Sequence, residues 1–298
     1  MRETIFVSIC NQKGGTGKSC FTILLASHLY YGLGYRVGIM DCDYPQHSVA
    51  AFRKWESEEV GRNPYYNGLA EEQFTRLGVP VYPVIKARPE TAMDMARKLL
   101  SGSKSGYDIL LFDLPGTVNN VGVLDVLDNM DHYIIPIEGS LTVLESSLNF
   151  ACALNDPSRG DGRSGRVHLF WNKIDRRERN PLYGIYEREV IAPLGLSVMR
   201  SSFPLSSRFR KVMDGESRLI MISTLFPATR QSVRGTDIDI GSFVSEICSI
   251  IKIGDNGSVD ERAVQGAVPC EIQDNGPEDI GADIDGDKEP APPAMHGG

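Results

Sequence analysis

The stretch N-Q-K-G-G-T-G-K-S-C, residues 11–20, constrains the fold more than any other part of the chain. It follows an apolar, β-branched run at residues 4–10 and precedes residues 19–34, whose apolar side chains recur at helical spacing and which end at glycines. A strand, a glycine-rich loop and a helix in this order direct backbone N–H groups and the amino terminus of the helix at one point, where an anion is held. The stretch therefore predicts a phosphate-binding loop between a buried strand and a helix.

The loop follows the phosphate-binding pattern G-x-x-x-x-G-K-[ST] at its end and departs from it at its start. Gly17, Lys18 and Ser19 supply the final glycine, the lysine that reaches the outer phosphates and the hydroxyl that binds Mg²⁺. Gln12 occupies the position of the first glycine, and Lys13 adds a second lysine five residues before Lys18. The extra lysine needs an explanation beyond ordinary phosphate binding.

Short apolar runs alternate with longer mixed segments along the first 200 residues. The runs lie at residues 36–41, 79–84, 107–113, 132–137, 167–172 and 196–200. Continuous apolar runs are typical of strands that are buried on both faces, and mixed segments between them favour helices that cover those faces. We predict an α/β fold of the P-loop NTPase type, with a mostly parallel twisted sheet and helices on both faces.

Carboxylates follow two of the predicted strands directly. Asp41 ends the run at 36–41 and Asp43 lies two residues further on, while Asp113 ends the run at 107–113, as a Walker B aspartate does. Ligands of open parallel sheets bind beyond the carboxyl ends of the strands. These side chains are therefore expected beside the phosphate loop, with Asp113 near a bound Mg²⁺.

Three motifs together carry a resemblance to a known family. They are K-G-G-T-G-K-S at 13–19, D-x-D followed closely by P-Q at 41–46, and D-x-P-G at 113–116. Over roughly residues 3–250 the chain resembles the ParA/MinD family of deviant Walker A ATPases. The resemblance implies ATP and Mg²⁺ as cofactors, with Ser19 and Asp113 at the metal. It also implies that the nucleotide contacts Gly14, Gly15, Thr16, Gly17, Lys18, Ser19 and Cys20.

The resemblance also explains the second lysine. In proteins similar to this one, the early lysine reaches the nucleotide of the other subunit in an ATP-bound homodimer, so Lys13 is expected to act across the dimer and Lys18 within its own subunit. Asp43 is expected to orient the attacking water, with Asp41 near the metal. Tyr44 interrupts the usual D-x-D-P-Q sequence, so the assignment of the water-orienting role between the two aspartates stays open.

Two segments of the sequence bear on which nucleotide base is recognised. The resemblance implies that Asn172 and the segment around Pro204 hold adenine. However, residues 172–175 have the sequence N-K-I-D, which matches the guanine-recognising motif of GTPases. We expect adenine and keep a GTPase as the alternative.

Charge divides the chain into two parts. Residues 171–234 contain twelve basic and six acidic side chains, mostly arginines among the basic ones, which suits non-specific DNA binding through phosphates. The candidate DNA-binding residues are Arg208, Arg210, Lys211 and Arg230. Residues 255–298 contain eleven acidic and two basic side chains, no aromatics and much glycine and proline. We therefore predict an ATPase domain at 1–254 and an acidic disordered tail at 255–298.

These observations predict a ParA-type ATPase with weak basal activity that dimerises on ATP, binds DNA and positions or partitions a plasmid, mobile element or complex. A ParB-like or other activator protein is the expected partner. No apolar run is long enough for a transmembrane helix or a signal peptide. We expect a cytoplasmic protein that is nucleoid-associated in its ATP state.

The alternatives are a MinD-like membrane-associated ATPase and a different enzyme of the same fold. The acidic tail argues against binding to an anionic membrane. The helix-like residues 241–254 contain one lysine and favour core packing. An iron–sulfur reductase of this type needs a cysteine soon after Asp113, and the sequence has none between Cys42 and Cys152.

Overall fold

The structure is a computed structural model that describes residues 4–103, 106–117, 120–156, 165–175, 181–206, 209, 221–227 and 238–253. The strands are β1 Ile5–Ile9, β2 Val37–Asp41, β3 Val84–Lys86, β4 Ile109–Asp113, β5 His132–Ile137, β6 Val167–Trp171 and β7 Ser197–Val198. They form a seven-stranded sheet in the order β3-β2-β4-β1-β5-β6-β7. Every pairing in it is parallel.

Helices connect the strands. The α-helices are α1 Lys18–Ser27, α2 Ser48–Arg62, α3 Pro64–Leu77, α4 Pro89–Gly102, α5 Val121–Asp128, α6 Leu141–Leu154, α7 Pro181–Ile185 and α8 Ile240–Ile250. A π-helical segment, His28–Gly32, continues α1, and a second one, Tyr186–Ile191, continues α7 into the short 3₁₀ turn Ala192–Leu194.

Helices cover both faces of the sheet, which confirms the predicted fold class. Successive strand residues point to opposite faces, so Ile109 and Leu111 pack in one apolar cluster with α1 and α8. Leu110 and Phe112 pack in a second cluster with α4, α5 and α6. All five residues of β4 are buried because both faces are covered. The continuous apolar runs of the sequence are the direct consequence.

One predicted strand is misplaced. The run at 79–84 was expected to be a strand, but the strand β3 begins at Val84, where that run ends. Pro80 and Pro83 have no N–H group to donate to a ladder, so the residues before Val84 cannot pair as a regular strand. The carbonyl groups of the segment still accept hydrogen bonds, Pro83 from the Ile39 N–H at 3.0 Å and the fully buried Tyr82 from Arg53 Nη1 at 3.1 Å.

The sheet brings the candidate site together at one edge. Asp41 ends β2 and Asp113 ends β4, and the two residues are direct partners in the parallel register of these strands. The glycine-rich loop follows β1, and β1 pairs with β4 on the side opposite to β2. Among the described residues no helix is both long and apolar enough to cross a membrane. The predicted tail, residues 255–298, lies outside the described residues.

Candidate functional site

Glycines shape the loop between β1 and α1. Gly15 and Gly17 have φ values of +74° and +96°, in the left-handed region that favours glycine. A Cβ atom on Gly17 would also lie 3.1 Å from the Asn172 amide nitrogen and 3.1 Å from the Phe21 ring. Gly14 has open space around it. The loop therefore turns tightly into α1 and leaves its outer side accessible to a ligand.

Asn11, which was not among the predicted site residues, anchors the start of the loop. Its buried amide nitrogen donates to the Pro136 carbonyl and to the Ser147 hydroxyl, both at 2.8 Å. Its Oδ1 accepts from the backbone N–H of Lys13 at 3.1 Å. The signal in the sequence was a polar side chain directly after a buried strand, but its partners are more than a hundred residues away. This contact fixes the backbone of Lys13, whose side chain is exposed.

Lys18 lies folded back over the loop. Its Nζ donates to the Lys13 carbonyl at 3.1 Å, and a Cβ on Gly116 would lie 3.4 Å from the same Nζ. Burial lowers the pKa of Lys18, and the negative charges of Asp113 and Asp43 oppose that shift. The ammonium thus occupies a confined position between the loop and the residues that follow β4, where a phosphate gains most from a fixed positive charge.

Ser19 and Asp113 form the opposite wall of this position. The Ser19 hydroxyl donates to Asp113 Oδ2 at 2.7 Å. Among the described residues, Asp113 Oδ1 is one of two buried side-chain atoms without a hydrogen-bond partner. The pKa of Asp113 is raised to about 7, chiefly by burial and also by the nearby charges of Asp41 and Asp43, while the Ser19 hydrogen bond and the charge of Lys18 oppose the shift. An unsatisfied carboxylate oxygen next to a hydroxyl suits hydrated Mg²⁺, a hard cation that prefers oxygen ligands.

Asp41 and Asp43 have different environments. Asp41 is fully buried, and its oxygens accept from the backbone N–H of Ala50 at 2.8 Å and that of Asp43 at 3.4 Å. Asp43 is half-buried, and its Oδ2 accepts from the Ser48 hydroxyl at 2.7 Å. Asp41 therefore holds the first turn of α2 in place, whereas Asp43 presents a carboxylate at the open side.

The residues that follow β6 donate hydrogen bonds to the phosphate loop. The Asn172 amide nitrogen donates to the Thr16 carbonyl at 2.9 Å. Lys173, at a φ of +55°, donates from Nζ to the Gly15 carbonyl at 2.7 Å and pairs with Glu138 at 2.8 Å. The N-K pair of the N-K-I-D sequence thus contacts the phosphate loop directly. The role of Glu138 could not be foreseen, because nothing near it in sequence marks it.

Two further predicted contact residues lie near this point or on α1. Pro204 is buried and pairs in a parallel bridge with Ile174, directly after Asn172 and Lys173. Cys20 lies on α1, where burial raises the pKa of its thiol to about 12, so only its backbone suits an anion. The candidate DNA-binding residues Arg208, Arg210, Lys211 and Arg230 lie outside the described residues.

The parallel sheet, the glycine loop at an α-helix amino terminus and the Lys18–Ser19–Asp113 arrangement together define a P-loop NTPase fold. Residues 5–146 match the model of a family described as ATPase MipZ. This match and the fold confirm the resemblance to the ParA/MinD-type P-loop ATPases that the three motifs carry.

Solved structures share the fold at low sequence identity. One is a protein from Borrelia burgdorferi B31 described as a plasmid partition protein and bound to AMPPNP, with 15% identity, coverage of 84% of this chain and 99% of that one, and a TM-score of 0.51. Another is the septum site-determining protein MinD of Pyrococcus horikoshii OT3 in complex with Mg-ADP, with 18% identity, coverage of 84% and 94%, and a TM-score of 0.50. At these identities the similarity shows the fold. No curated protein matches the sequence.

Proposed function

We propose that this protein is a ParA-type ATPase that dimerises on ATP, binds DNA non-specifically and positions or partitions a plasmid, mobile element or complex. The observation that carries the proposal is the convergence of Lys18, Ser19 and Asp113 at the loop. An activator protein of the ParB kind stimulates a slow basal hydrolysis. In its ATP state the protein is associated with the nucleoid.

ATP and Mg²⁺ fit the described site. The backbone N–H groups of the loop and Lys18 bind the phosphates, while Ser19 and Asp113 hold the cation, for which the unpartnered Asp113 Oδ1 provides an acceptor. When bound, Mg²⁺ neutralises charge on the phosphate oxygens. AMPPNP and Mg-ADP are bound in two of the solved structures that share the fold.

Asp43 is the better candidate for orienting the attacking water. Both oxygens of Asp41 accept from backbone N–H groups, so its carboxylate is committed to holding the start of α2. Asp43 makes a side-chain hydrogen bond to Ser48 through Oδ2, which fixes the direction of its carboxylate. A fixed acceptor at the open side of the site is what a water-positioning residue requires.

Lys13 acts on the nucleotide of a second subunit. Its side chain is exposed while its backbone is held by Asn11 and Lys18, which is a rigid base for a cation that must reach outward. Exposed apolar side chains follow three strands at the same edge, at Tyr44, Val121 and Leu141. They supply apolar area for an interface across which charge on the phosphates is neutralised in trans, as an arginine finger does.

Adenine is the base that we propose. One N–H of the Asn172 amide is used on Thr16, and the second can donate to a base nitrogen. Both purines present an acceptor at N7, so Asn172 alone does not choose between them, and the segment at Pro204 must contribute. GTP should therefore displace a fluorescent ATP analogue only at concentrations at least about 10-fold above those of ATP, a difference of about 1.4 kcal/mol. Displacement at equal concentration would establish the GTPase alternative.

Lys13→Ala tests the dimer. The variant should bind ATP as a monomer with the wild-type affinity and lose the ATP-dependent dimer, DNA retention and hydrolysis together, because all three depend on the trans contact. Asp43→Ala should keep the dimer and stop hydrolysis. Sedimentation with and without a non-hydrolysable ATP analogue, and mobility shifts on random duplex DNA, measure these effects.

Two controls accompany this experiment. Lys98→Ala removes an exposed lysine near the carboxyl end of α4, and it should behave as the wild type in every assay. Replacing Arg208 and Arg210 together should remove DNA retention alone and leave the dimer. A Lys13→Ala protein that still dimerises and shifts DNA would refute the trans role.

A further inference from the structure

Arg88 and Tyr44 join two loops at the carboxyl edge of the sheet. The Arg88 guanidinium lies over the Tyr44 ring at 4.6 Å from its centroid, and its Nη2 donates to the Tyr44 hydroxyl at 3.2 Å. Tyr44 directly follows Asp43, while Arg88 directly precedes α4. The loop that carries the candidate water-orienting aspartate is thus attached to the start of α4.

The same turn of α4 contacts the loop that follows Asp113. Glu90 accepts from the Asn120 amide nitrogen at 2.7 Å, and Asn120 Oδ1 caps α5 by accepting from the Gly122 N–H, also at 2.7 Å. A Cβ on Gly122 would lie 2.6 Å from the Glu90 backbone nitrogen. The backbones of α4 and α5 therefore approach so closely that α5 cannot shift without disturbing the first turn of α4.

Backbone contacts connect this turn to the sheet as well. The Ala87 N–H donates to the Asp41 carbonyl at 3.0 Å, so the residue before Arg88 is held against the end of β2. The start of α4 therefore has three attachments: the end of β2, the Asp43 loop and the start of α5. Neither Arg88 nor Glu90 contacts the phosphate loop in any described hydrogen bond.

We infer that the first turn of α4 is a positioning element, in which Arg88 and Glu90 hold the Asp43 loop and the start of α5 in one fixed arrangement. The role rests on the proposed ATPase function, and it concerns geometry alone: Arg88 and Glu90 act through Tyr44 and Asn120. Asp43 belongs to one of the two attached loops and Asp113 begins the other. Hydrolysis, which needs water, nucleotide and cation aligned, depends on the relative placement of these loops, whereas phosphate binding depends on the glycine loop.

The test compares paired variants in the full chain. Arg88→Gln and Glu90→Ala should each lower kcat by about 2- to 30-fold, the range over which such coupling residues act. The dissociation constant for a non-hydrolysable ATP analogue should stay within about 2-fold of the wild type. Glu90→Gln should retain most of the rate, because its amide oxygen still accepts from Asn120. Tyr44→Phe keeps the ring beneath the guanidinium and should lie between the wild type and Arg88→Gln.

Arg97→Gln is the matched control. Arg97 is an exposed arginine of the same helix that pairs with Asp94, far from both loops, and its replacement should leave kcat unchanged. Equal loss of kcat in Glu90→Gln and Glu90→Ala would overturn the hydrogen-bond basis of the inference. So would parallel losses of kcat and analogue affinity in Arg88→Gln, since that result assigns Arg88 to nucleotide binding.

Amide hydrogen exchange tests the positioning role of the first turn of α4 without relying on catalysis. In the ligand-free protein, Arg88→Gln should accelerate exchange at residues 43–50 and 121–128 together, by at least about 3-fold. Acceleration confined to 43–50, or none, would overturn the coupling even in a protein that hydrolyses ATP. If the wild type bound no ATP while Arg88→Gln still accelerated exchange in both segments, the proposed function would be contradicted and the positioning role supported.

Discussion

At the scale of single residues, the fold strongly perturbs the carboxyl group of Asp113. It is fully buried at the end of β4, and burial raises its pKa from the ordinary value of 3.8 to about 7. A carboxyl group whose pKa is higher in the folded than in the unfolded state binds more protons when folded. Its contribution to stability is fully present below about pH 4 and is lost as the pH rises through 7.

Asp113→Asn should therefore stabilise the ligand-free protein at alkaline pH. At pH 8 in a chelator, the free energy of unfolding should rise by up to about 4 kcal/mol, since each unit of pKa shift corresponds to about 1.4 kcal/mol. At pH 4 the difference should be small, because the wild-type carboxyl is then protonated and asparagine resembles it. Denaturant titrations at the two pH values measure this.

Asp125→Asn, a change at an exposed carboxylate of α5, is the control and should leave the free energy of unfolding within about 0.5 kcal/mol of the wild type. If Asp113→Asn were less stable than the wild type at pH 8, burial could not be the main cause of the raised pKa of Asp113.

Residues of the candidate site were predicted where a local sequence motif identifies them. Lys18, Ser19 and Asp113 were found because the loop pattern and the end of an apolar run identify them, and the structure brings all three together. Asn11 and Glu138 were not found, because their contacts reach Ser147 and Lys173 across the sheet. Such contacts depend on the strand order, which the sequence does not contain.

At the scale of elements, helix α2 links the site to a distant segment. Its first turn is held by Asp41 and Asp43. Further along, buried Glu56 accepts from the Ser223 hydroxyl and from the Thr224 N–H at 2.8 Å. Arg53 donates to the Thr224 hydroxyl at 2.6 Å. Residues 221–227 are therefore attached to the helix by a buried polar network rather than by apolar packing alone.

Glu56→Ala should destabilise the protein by about 3 kcal/mol, because it leaves several buried donors without an acceptor. Glu56→Gln should cost less, since one oxygen remains to accept. Glu59→Ala, at a half-exposed position of the same helix and paired with Arg62, should stay within about 0.5 kcal/mol of the wild type. Urea unfolding of the three variants provides the comparison, and equal losses at Glu56 and Glu59 would contradict the network.

Elements were predicted best where both faces of a strand are buried. The run at 132–137 matches β5, His132–Ile137. The strand predicted at 79–84 was wrong because its prolines lack an N–H group. Burial of the apolar residues around them cannot replace a missing ladder hydrogen bond. The buried attachment of 221–227 had no local signal, because Glu56 lies in a helix rich in charged residues.

At the scale of the whole molecule, charge is distributed unevenly. The chain has a net charge of −8. The predicted tail, 255–298, has eleven acidic and two basic side chains, a balance of −9, so the remainder is at about +1. DNA and this acidic tail carry charge of the same sign, so the tail repels DNA, and salt screens this repulsion.

Truncation after residue 254 should leave the melting temperature within about 1 °C of the full chain, because a segment of this composition cannot contribute a core. The same truncation should strengthen retention of random duplex DNA at low salt, and the gain should vanish as salt screens the tail. A full-length variant with the acidic residues of the tail changed to amides is the control and should match the truncation. A drop of several degrees on truncation would show that the tail belongs to the fold.

The hydrogen bond from Lys18 Nζ to the Lys13 carbonyl uses one of the three N–H donors of the ammonium in the ligand-free loop. An incoming phosphate therefore binds a cation that a backbone oxygen already holds in place. Its affinity then carries a smaller entropic cost of ordering the Lys18 side chain, because the loop has already ordered it.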